Sequence, residues 1–355
     1  MPHDLRALLG IRHPILLAAM AGGPSTPELA AEVSRAGGLG VLGLSGLTLA
    51  AAADATRRAV ALAGGAPVGA NAQLAPSSPA TGDRERIMAV LAPFRAELGL
   101  PLDPALPAAA PTGQELLEAA LDAGATVVTT FEDPTPAIGA ARAAGAPLLA
   151  MVTTPAEALA AVSAGANAVI AQGSEAGGHR STFVGAEIPA ALREVGTIAL
   201  LPQVIAALGP DVPVIASGGI MDGRGIAAAL ALGAAGVSLG TRFMAAIESG
   251  IPDDYRRALA TCPANGTVVT DAVTGRPCRM IQNRIVSAII EARAGTLGWV
   301  AQAAQIADIR RAAAEQGRTD LMIMLGGQGA GLSGEPAPAA TIMAQLVDEL
   351  ARAST

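Results

Sequence analysis

The sequence contains no lysine, few cysteines and histidines, and very few aromatic residues. All 23 basic residues are arginine. This excludes enzymes that need a lysine, namely Schiff-base aldolases, pyridoxal-phosphate enzymes and Walker A ATPases. The two cysteines, Cys262 and Cys278, cannot form a CxxC motif, and the three histidines show no metal-ligand spacing. We therefore expect no zinc and no iron–sulfur centre.

The composition also limits the partners that the protein can have. With 30 acidic and 23 basic residues, the net charge is −7, and aromatic residues make up only 2%. This balance offers no basic surface and no stacking platform, so we expect neither nucleic acid nor a membrane as a partner. The apolar runs at 14–21 and 225–240 are opened by a proline or broken by glycines, which favours strands and a helix over a leader or a membrane span. We expect a cytoplasmic protein.

A recurring junction predicts the fold class. Ala-rich helical segments end at a glycine and lead directly into a β-branched segment at Gly124, Gly145, Gly165 and Gly233. Glycine suits the left-handed position that follows a helix. Three of these junctions lie about 20 residues apart, the length of one strand–helix unit. The pattern predicts an α/β protein with a (βα)8 TIM-type barrel, and an open doubly wound sheet is the alternative.

Eight short apolar segments are candidates for the barrel strands: 15–18, 40–44, 67–71, 126–130, 148–152, 168–171, 214–217 and 236–239. A Pro-rich surface excursion, with one helix near 84–98, separates the third and fourth strands. We interpret residues 1–245, completed by 313–355, as the barrel. Residues 246–312, which are richer in arginine, are interpreted as an inserted, mainly helical subdomain on the substrate side.

Barrel enzymes place their sites in the loops that follow the strands, so unusual residues in those loops deserve most weight. Gly218 and Gly219 follow the seventh candidate strand, and Gly240 and Thr241 follow the eighth. Glycine loops after these two strands predict a phosphate site, because they allow backbone N–H groups to approach an anion. Simple turn geometry is the alternative reading.

Three further polar residues lie at or after the ends of other strands. His179 follows two glycines in the loop after the sixth strand, which favours a role as acid, base or substrate donor. Glu175 in the same loop is interpreted as a solvated or loop-bracing carboxylate. Asn71 ends the third strand, where its amide can both donate and accept at the edge of a heterocycle.

The motifs that carry a family resemblance are spread over most of the chain. They are Met20-Ala21-Gly22-Gly23, Ala36-Gly37-Gly38-Leu39-Gly40, 171–180 (AQGSEAGGHR), Leu201-Pro202-Gln203-Val204, 216–220 (ASGGI), 239–243 (LGTRF) and 327–331 (GQGAG), with Arg276-Pro277 and Asn283-Arg284. In this order they closely resemble the nitronate monooxygenases, once called 2-nitropropane dioxygenases. FMN-dependent enoyl-acyl-carrier-protein reductases and NADH:quinone reductases resemble the same pattern.

The resemblance implies a barrel that holds FMN without a covalent bond, with His179 as the catalytic histidine. Met20 would contact the isoalloxazine, Asn71 and Gln172 would bond the flavin edge, and Gln328 would close the pocket. The remaining implied FMN-binding residues are Gly177, Gly178, Gly218, Gly219, Ser238, Leu239, Gly240 and Thr241.

The sequence departs from the family pattern in two places. Ala19 stands where proline is expected, and Ser181-Thr182 stand where glycine usually follows His-Arg. Because the second change lies beside the substrate, we expect Ser181 to contact the substrate and to affect its choice.

The resemblance implies oxidation of alkyl nitronates, and of nitroalkanes as an extension, by dioxygen to a carbonyl compound and nitrite. The partners are then a small nitronate and dioxygen. Whether the chain forms a homo-oligomer is left open. One alternative is an NAD(P)H-dependent flavin reductase of enoyl thioesters or quinones. Another is a non-catalytic FMN-binding protein, against which the position of His179 argues.

Overall fold

The apolar segments form a parallel sheet in the computed structural model of the chain, which describes residues 4–74, 80–103, 110–184 and 194–353. The described strands are β1 (Ile15–Leu17), β2 (Gly40–Gly43), β3 (Val68–Gln73), β4 (Val127–Phe131), β5 (Leu148–Val152), β6 (Ala168–Gln172), β7 (Gly178–His179), β8 (Val214–Ser217), β9 (Gly236–Leu239), β10 (Thr267–Thr270) and β11 (Cys278–Ile281). The eight candidate strands correspond to β1–β6, β8 and β9.

These eight strands close into a barrel. Their order is β1-β9-β8-β6-β5-β4-β3-β2, and all neighbours are parallel. The two ends of the sheet meet at Leu39, which accepts a hydrogen bond from the N–H of Leu17 at 2.8 Å and donates one to the carbonyl of Ile15 at 3.1 Å. The predicted (βα)8 barrel is confirmed, and the open doubly wound alternative is wrong.

Helices follow most of the strands and cover the outside of the barrel. The described helices are α1 (Leu5–Leu9), α2 (Pro27–Arg35), α3 (Leu49–Ala63), α4 (Arg84–Glu97), α5 (Gly113–Asp122), α6 (Thr135–Ala143), α7 (Pro155–Ala164), α8 (Thr197–Leu208), α9 (Gly223–Ala231), α10 (Thr241–Met244), α11 (Asp253–Ala260), α12 (Arg284–Ala292), α13 (Trp299–Gln305), α14 (Ala307–Glu315) and α15 (Ala339–Ala353). Among them, none combines the length and the apolar character needed to cross a membrane.

The junction glycines behave as their pattern predicts. Gly124, Gly145, Gly165 and Gly233 have φ values of +101°, +65°, +119° and +98°. A residue with a Cβ rarely adopts this region, so glycine lets each helix turn back at once toward the next strand. The short connections keep every strand–helix unit in the same orientation. As a result, the carboxyl ends of all eight strands lie on one side of the barrel.

A second hydrophobic cluster lies apart from the barrel and its helices. It joins α4 of the Pro-rich excursion to α11, α12 and α14, with Leu91, Ile285 and Ile309 among its buried members. Arg95 of α4 is completely buried and binds both carboxylate oxygens of Asp308 on α14, at 2.5 and 3.0 Å. The excursion therefore anchors the helix on which Asp308 lies.

Residues 246–312 also contain strands, which the interpretation as a mainly helical segment did not include. β10 pairs with β11, and β11 pairs in turn with β7, the short strand in the loop after β6. In this small antiparallel sheet, Cys278 lies opposite His179. The segment is thereby fastened to the mouth of the barrel. Its role as a separate substrate subdomain stays a prediction.

Candidate active site

Backbone N–H groups are presented at the carboxyl ends of β8 and β9. Within the described residues, no acceptor is found for the N–H groups of Gly218, Gly219 and Gly240. Gly218 and Gly219 have φ values of +115° and +72°, and a Cβ at position 219 would lie 3.2 Å from the Cβ of Glu175. Neighbouring N–H groups of this kind, in a turn that only glycine fits well, suit the oxygens of a phosphate.

The residues of β9 meet the loop after β1 and the Gly-rich loop near the C-terminus. Ser238 and Leu239 are buried within β9. A Cβ at Gly240 would lie 3.6 Å from the sulfur of Met20. The hydroxyl of Thr241 accepts a hydrogen bond from the N–H of Gly327 at 3.0 Å. The structure thus brings these predicted residues together at one edge of the barrel mouth.

Glu175 braces the loops around this edge, in agreement with the second of its two interpretations. Its carboxylate accepts hydrogen bonds from the backbone N–H of Thr197 at 2.8 Å and from the Thr197 hydroxyl at 2.9 Å. Its carbonyl accepts the N–H of Gln328 at 2.9 Å, while the side chain of Gln328 is exposed. Gly177 packs so closely on the same loop that a Cβ there would lie 2.6 Å from the carbonyl carbon of Gly326.

Gln172 shapes the loop that carries the histidine. Its carboxamide oxygen accepts from the N–H of Ser181 at 3.0 Å and from Arg180 Nη1 at 3.2 Å. Its Nε2 donates to the carbonyl of His179 at 2.8 Å. These bonds hold the short strand β7, which consists of Gly178 and His179. One N–H of the amide is left for a ligand, and the predicted contact with a flavin edge stays a prediction.

Ser181 is more buried than expected for a residue predicted to contact the substrate. The side chain is completely buried. Its hydroxyl donates to the carbonyl of Met151 at 3.0 Å and accepts from the N–H of Glu132 at 2.8 Å. Glu132 has a φ of +74°, and this strained conformation is held by the Ser181 hydroxyl and by an ion pair with Arg276. The structure therefore makes Ser181 a brace between strand ends, and contact with substrate stays a prediction.

A cavity at the barrel mouth contains Asn71, the amide predicted both to donate and to accept, and the structure leaves it only the accepting role toward a ligand. Asn71, Ser238, Ala19 and Met151 are among its lining residues. The amide nitrogen of Asn71 is committed, because it donates to the carbonyl and the hydroxyl of Thr129 at 3.0 and 2.9 Å. Within the described residues, no donor to its Oδ1 is found. The side chain can therefore accept a hydrogen bond from the N–H of a flat heterocycle.

His179 is held between two residues of the segment 246–312. Its Nε2 lies 3.1 Å from the hydroxyl oxygen of Thr274. The imidazole and the ring of Trp299 form a T-shaped pair, with 4.2 Å between ring centroids and an angle of 75°. Burial, together with the positive charge of Arg310, lowers the pKa of His179 to about 3. The ring is therefore neutral at neutral pH, so it cannot serve there as a cationic partner for an anion.

Arg310 of α14 is a positively charged side chain near the neutral His179. Gly22 follows Met20 by two residues, and Nη2 of Arg310 lies 3.3 Å from the position that a Cβ of Gly22 would take. The side chain is exposed, and within the described residues its guanidinium has no hydrogen-bond or ion-pair partner. Besides His179, its charge acts on Tyr255 and Cys278, where it opposes the rise in pKa that burial causes.

The sequence interpretation missed Thr274, Trp299 and Arg310 as site residues. They are far from His179 along the chain, and only Thr274 lies near one of the quoted motifs, Arg276-Pro277. Thr274, for example, is separated from the histidine by 95 positions. They reach the site only because β11 pairs with β7 and because α14 is anchored by Arg95. The remaining predicted site residues converge at the barrel mouth.

Comparisons with known proteins find similar sequences and structures over nearly the whole chain. The sequence model of a family described as nitronate monooxygenase matches residues 3–349. A probable nitronate monooxygenase of Staphylococcus aureus (strain Newman) is 34% identical over 98% of this chain and 96% of that protein. A solved nitroalkane oxidase from Streptomyces ansochromogenes is 35% identical, with a TM-score of 0.85, over 99% of this chain and 98% of that one. FabK from Thermotoga maritima is 30% identical, with a TM-score of 0.74, over 98% and 96% of the two chains.

Proposed function

The chain belongs to the nitronate monooxygenase family, and on this premise we propose that it oxidises alkyl nitronates with dioxygen to a carbonyl compound and nitrite. The protein is an oxidoreductase, and the family is flavin-dependent. The observation that carries the proposal is the arginine at the mouth of the site, Arg310. A nitronate is an anion, and this guanidinium has no acid partner in the described chain.

FMN is proposed as the flavin because the residues at the barrel mouth fit its parts. The N–H groups of Gly218, Gly219 and Gly240 suit a terminal phosphate, and the free oxygen of Asn71 suits a ring N–H. Met20 follows β1 and lies against Gly240, and in the closed barrel only β2 separates β1 from β3, the strand of Asn71. When bound, this cofactor would take electrons from the substrate and pass them to dioxygen.

The chain's own residues attract, orient and deprotonate the substrate in this proposal. Arg310 draws the nitronate toward the site and binds its negative oxygens. His179 is neutral and has an unprotonated ring nitrogen, so it can remove the α-proton when a neutral nitroalkane is bound instead. Trp299 holds the imidazole in place and keeps water from that side of the ring. A nitronate arrives already deprotonated and does not need the base.

Replacing Arg310 by glutamine should raise the KM for a nitronate by about tenfold and reduce the salt dependence of kcat/KM, because one positive charge is lost at the mouth. The matched control is Arg311→Gln, which removes the same charge from the next position of α14. Steady-state kinetics at low and at physiological ionic strength measure both effects. Equal KM values for the two variants would contradict a role of Arg310 in binding the anion.

The similarity to FabK supports a second candidate, an NAD(P)H-dependent flavin reductase of enoyl thioesters or quinones. Mixing the holoenzyme without oxygen, first with a nitronate and separately with NADH and NADPH, decides between the two. We expect the flavin absorbance to bleach far faster with the nitronate. Fast bleaching by NADH or NADPH, with none by nitronates, would overturn the proposed function in favour of the reductase.

A further inference from the structure

Thr274 is held at a fixed place beside His179 by the loop between β10 and β11. Arg180 donates its N–H to the carbonyl of Pro277 at 2.8 Å, and Arg276 Nε donates to the carbonyl of Arg180 at 3.1 Å. The Thr274 side chain is 3% exposed. The contact between its hydroxyl and the imidazole is therefore part-buried and lies between two loops that hydrogen bonds hold together.

The chemistry of the hydroxyl settles the direction of its two contacts. Thr274 Oγ1 lies 3.1 Å from the carbonyl oxygen of Arg276 and 3.1 Å from Nε2 of His179. A carbonyl oxygen only accepts, and a hydroxyl has one hydrogen to donate. Both contacts are hydrogen bonds only if Thr274 donates to Arg276 and accepts from the imidazole. We infer that Thr274 fixes the proton of His179 on Nε2 and leaves Nδ1 as the proton-accepting nitrogen.

This tautomer gives Thr274 a positioning role. Arg310 is the charged group that acts on the ring, and it keeps the imidazole neutral together with burial. A neutral imidazole carries one N–H, so Nδ1 has a lone pair, and within the described residues no donor to it is found. If the proposed function holds, Nδ1 is the atom that removes the α-proton of a neutral nitroalkane. The residue acts through His179 and is not itself a catalytic residue.

The tautomer can be measured without any substrate. The chain has three histidines, so the holoenzyme labelled with ¹⁵N-histidine gives few ring signals, and His179→Asn identifies the pair that belongs to residue 179. We expect a protonated Nε2 and an unprotonated Nδ1. In Thr274→Val, which keeps the shape but loses the acceptor, the two tautomers should mix. Thr274→Ser should restore the original spectrum.

A protonated Nδ1 in the unmodified protein would overturn the inference, and so would an unchanged spectrum in Thr274→Val. The kinetic counterpart is a loss of about 3- to 10-fold in kcat/KM for a neutral nitroalkane, the size expected from one hydrogen bond. Nitronate oxidation should fall far less, and serine should restore the rate. Equal losses for both substrates would contradict the positioning role. If no nitronate or nitroalkane is oxidised at all, the proposed function fails, while the spectra still decide the tautomer.

Discussion

Replacing His179 by asparagine should lower the oxidation of neutral nitroalkanes by about 10²- to 10⁴-fold, the usual contribution of a general base. The asparagine keeps a hydrogen-bonding side chain of similar reach but cannot take a proton near neutral pH. Nitronates enter already deprotonated, and Arg310 is the proposed partner of their negative charge, so their oxidation should fall much less. The flavin content should be unchanged, because His179 lies on β7 and outside the glycine turns after β8 and β9.

The decisive measurement is kcat/KM for a nitroalkane and for its own nitronate with the same enzyme preparation. The control variant is His13→Asn, since His13 lies before β1 and away from the carboxyl ends of the strands. Equal losses for the two substrate forms would refute the role of base and leave His179 as an orienting group. Loss of flavin would show that the loop itself depends on the imidazole.

His179→Asn should also change how the free energy of unfolding depends on pH. The pKa of His179 falls from 6.5 in the unfolded chain to about 3 in the folded one. Between these values the unfolded chain binds the extra proton, so the free energy of unfolding rises with pH through this window and falls as the protein is acidified. In His179→Asn this part of the slope disappears. Melting temperatures at a series of pH values between 4 and 7 should therefore vary less in the variant.

Replacing Gly219 by valine should leave the purified protein almost free of flavin. The backbone there has a φ of +72°, and a Cβ would lie 3.2 Å from Glu175 Cβ, within the turn whose N–H groups face the proposed phosphate. The added side chain both strains the turn and displaces the bracing carboxylate. Flavin content is measured from the visible absorbance and from the cofactor released on heating, which we expect to be FMN in the unmodified protein.

Gly209→Val is the matched control for this prediction. Gly209 also has a positive φ, +74°, but no atom lies within 4 Å of its Cβ position, and it follows α8 on the outside of the barrel. It reports the effect of replacing a positive-φ glycine away from the glycine turns after β8 and β9. A Gly219→Val protein with full flavin content would contradict the phosphate cradle, and release of FAD from the unmodified protein would contradict the choice of FMN.

The barrel could be predicted from the sequence because its determinants are local. Each strand is a short run of apolar residues, and many of the helices are followed at once by a glycine such as Gly124, whose positive φ is dictated by the immediate turn. The loops that form the mouth follow from the same order of elements. For this reason Gly218, Gly219 and Gly240 could be assigned to one site before their distances were known.

The other half of the site could not be predicted, because it depends on contacts between distant segments. The three-stranded sheet that brings Thr274 to His179 is formed by strands of two to four residues, which carry no clear period. The depth of Ser181 is decided by its bonds to Met151 and Glu132, neither of which is near it in sequence. The low pKa of His179 arises from burial by that same packing.

The buried ion pair between Arg95 and Asp308 also bears on how this enzyme can change its substrate. Asp308 and Arg310 lie two positions apart on α14, so α4 anchors, through Arg95, the helix that carries the arginine. Substitutions in α4 can move or loosen that arginine while every residue around the flavin site stays as it is. Adaptation to a new substrate can thus start in α4, which a directed-evolution library confined to the barrel mouth would omit.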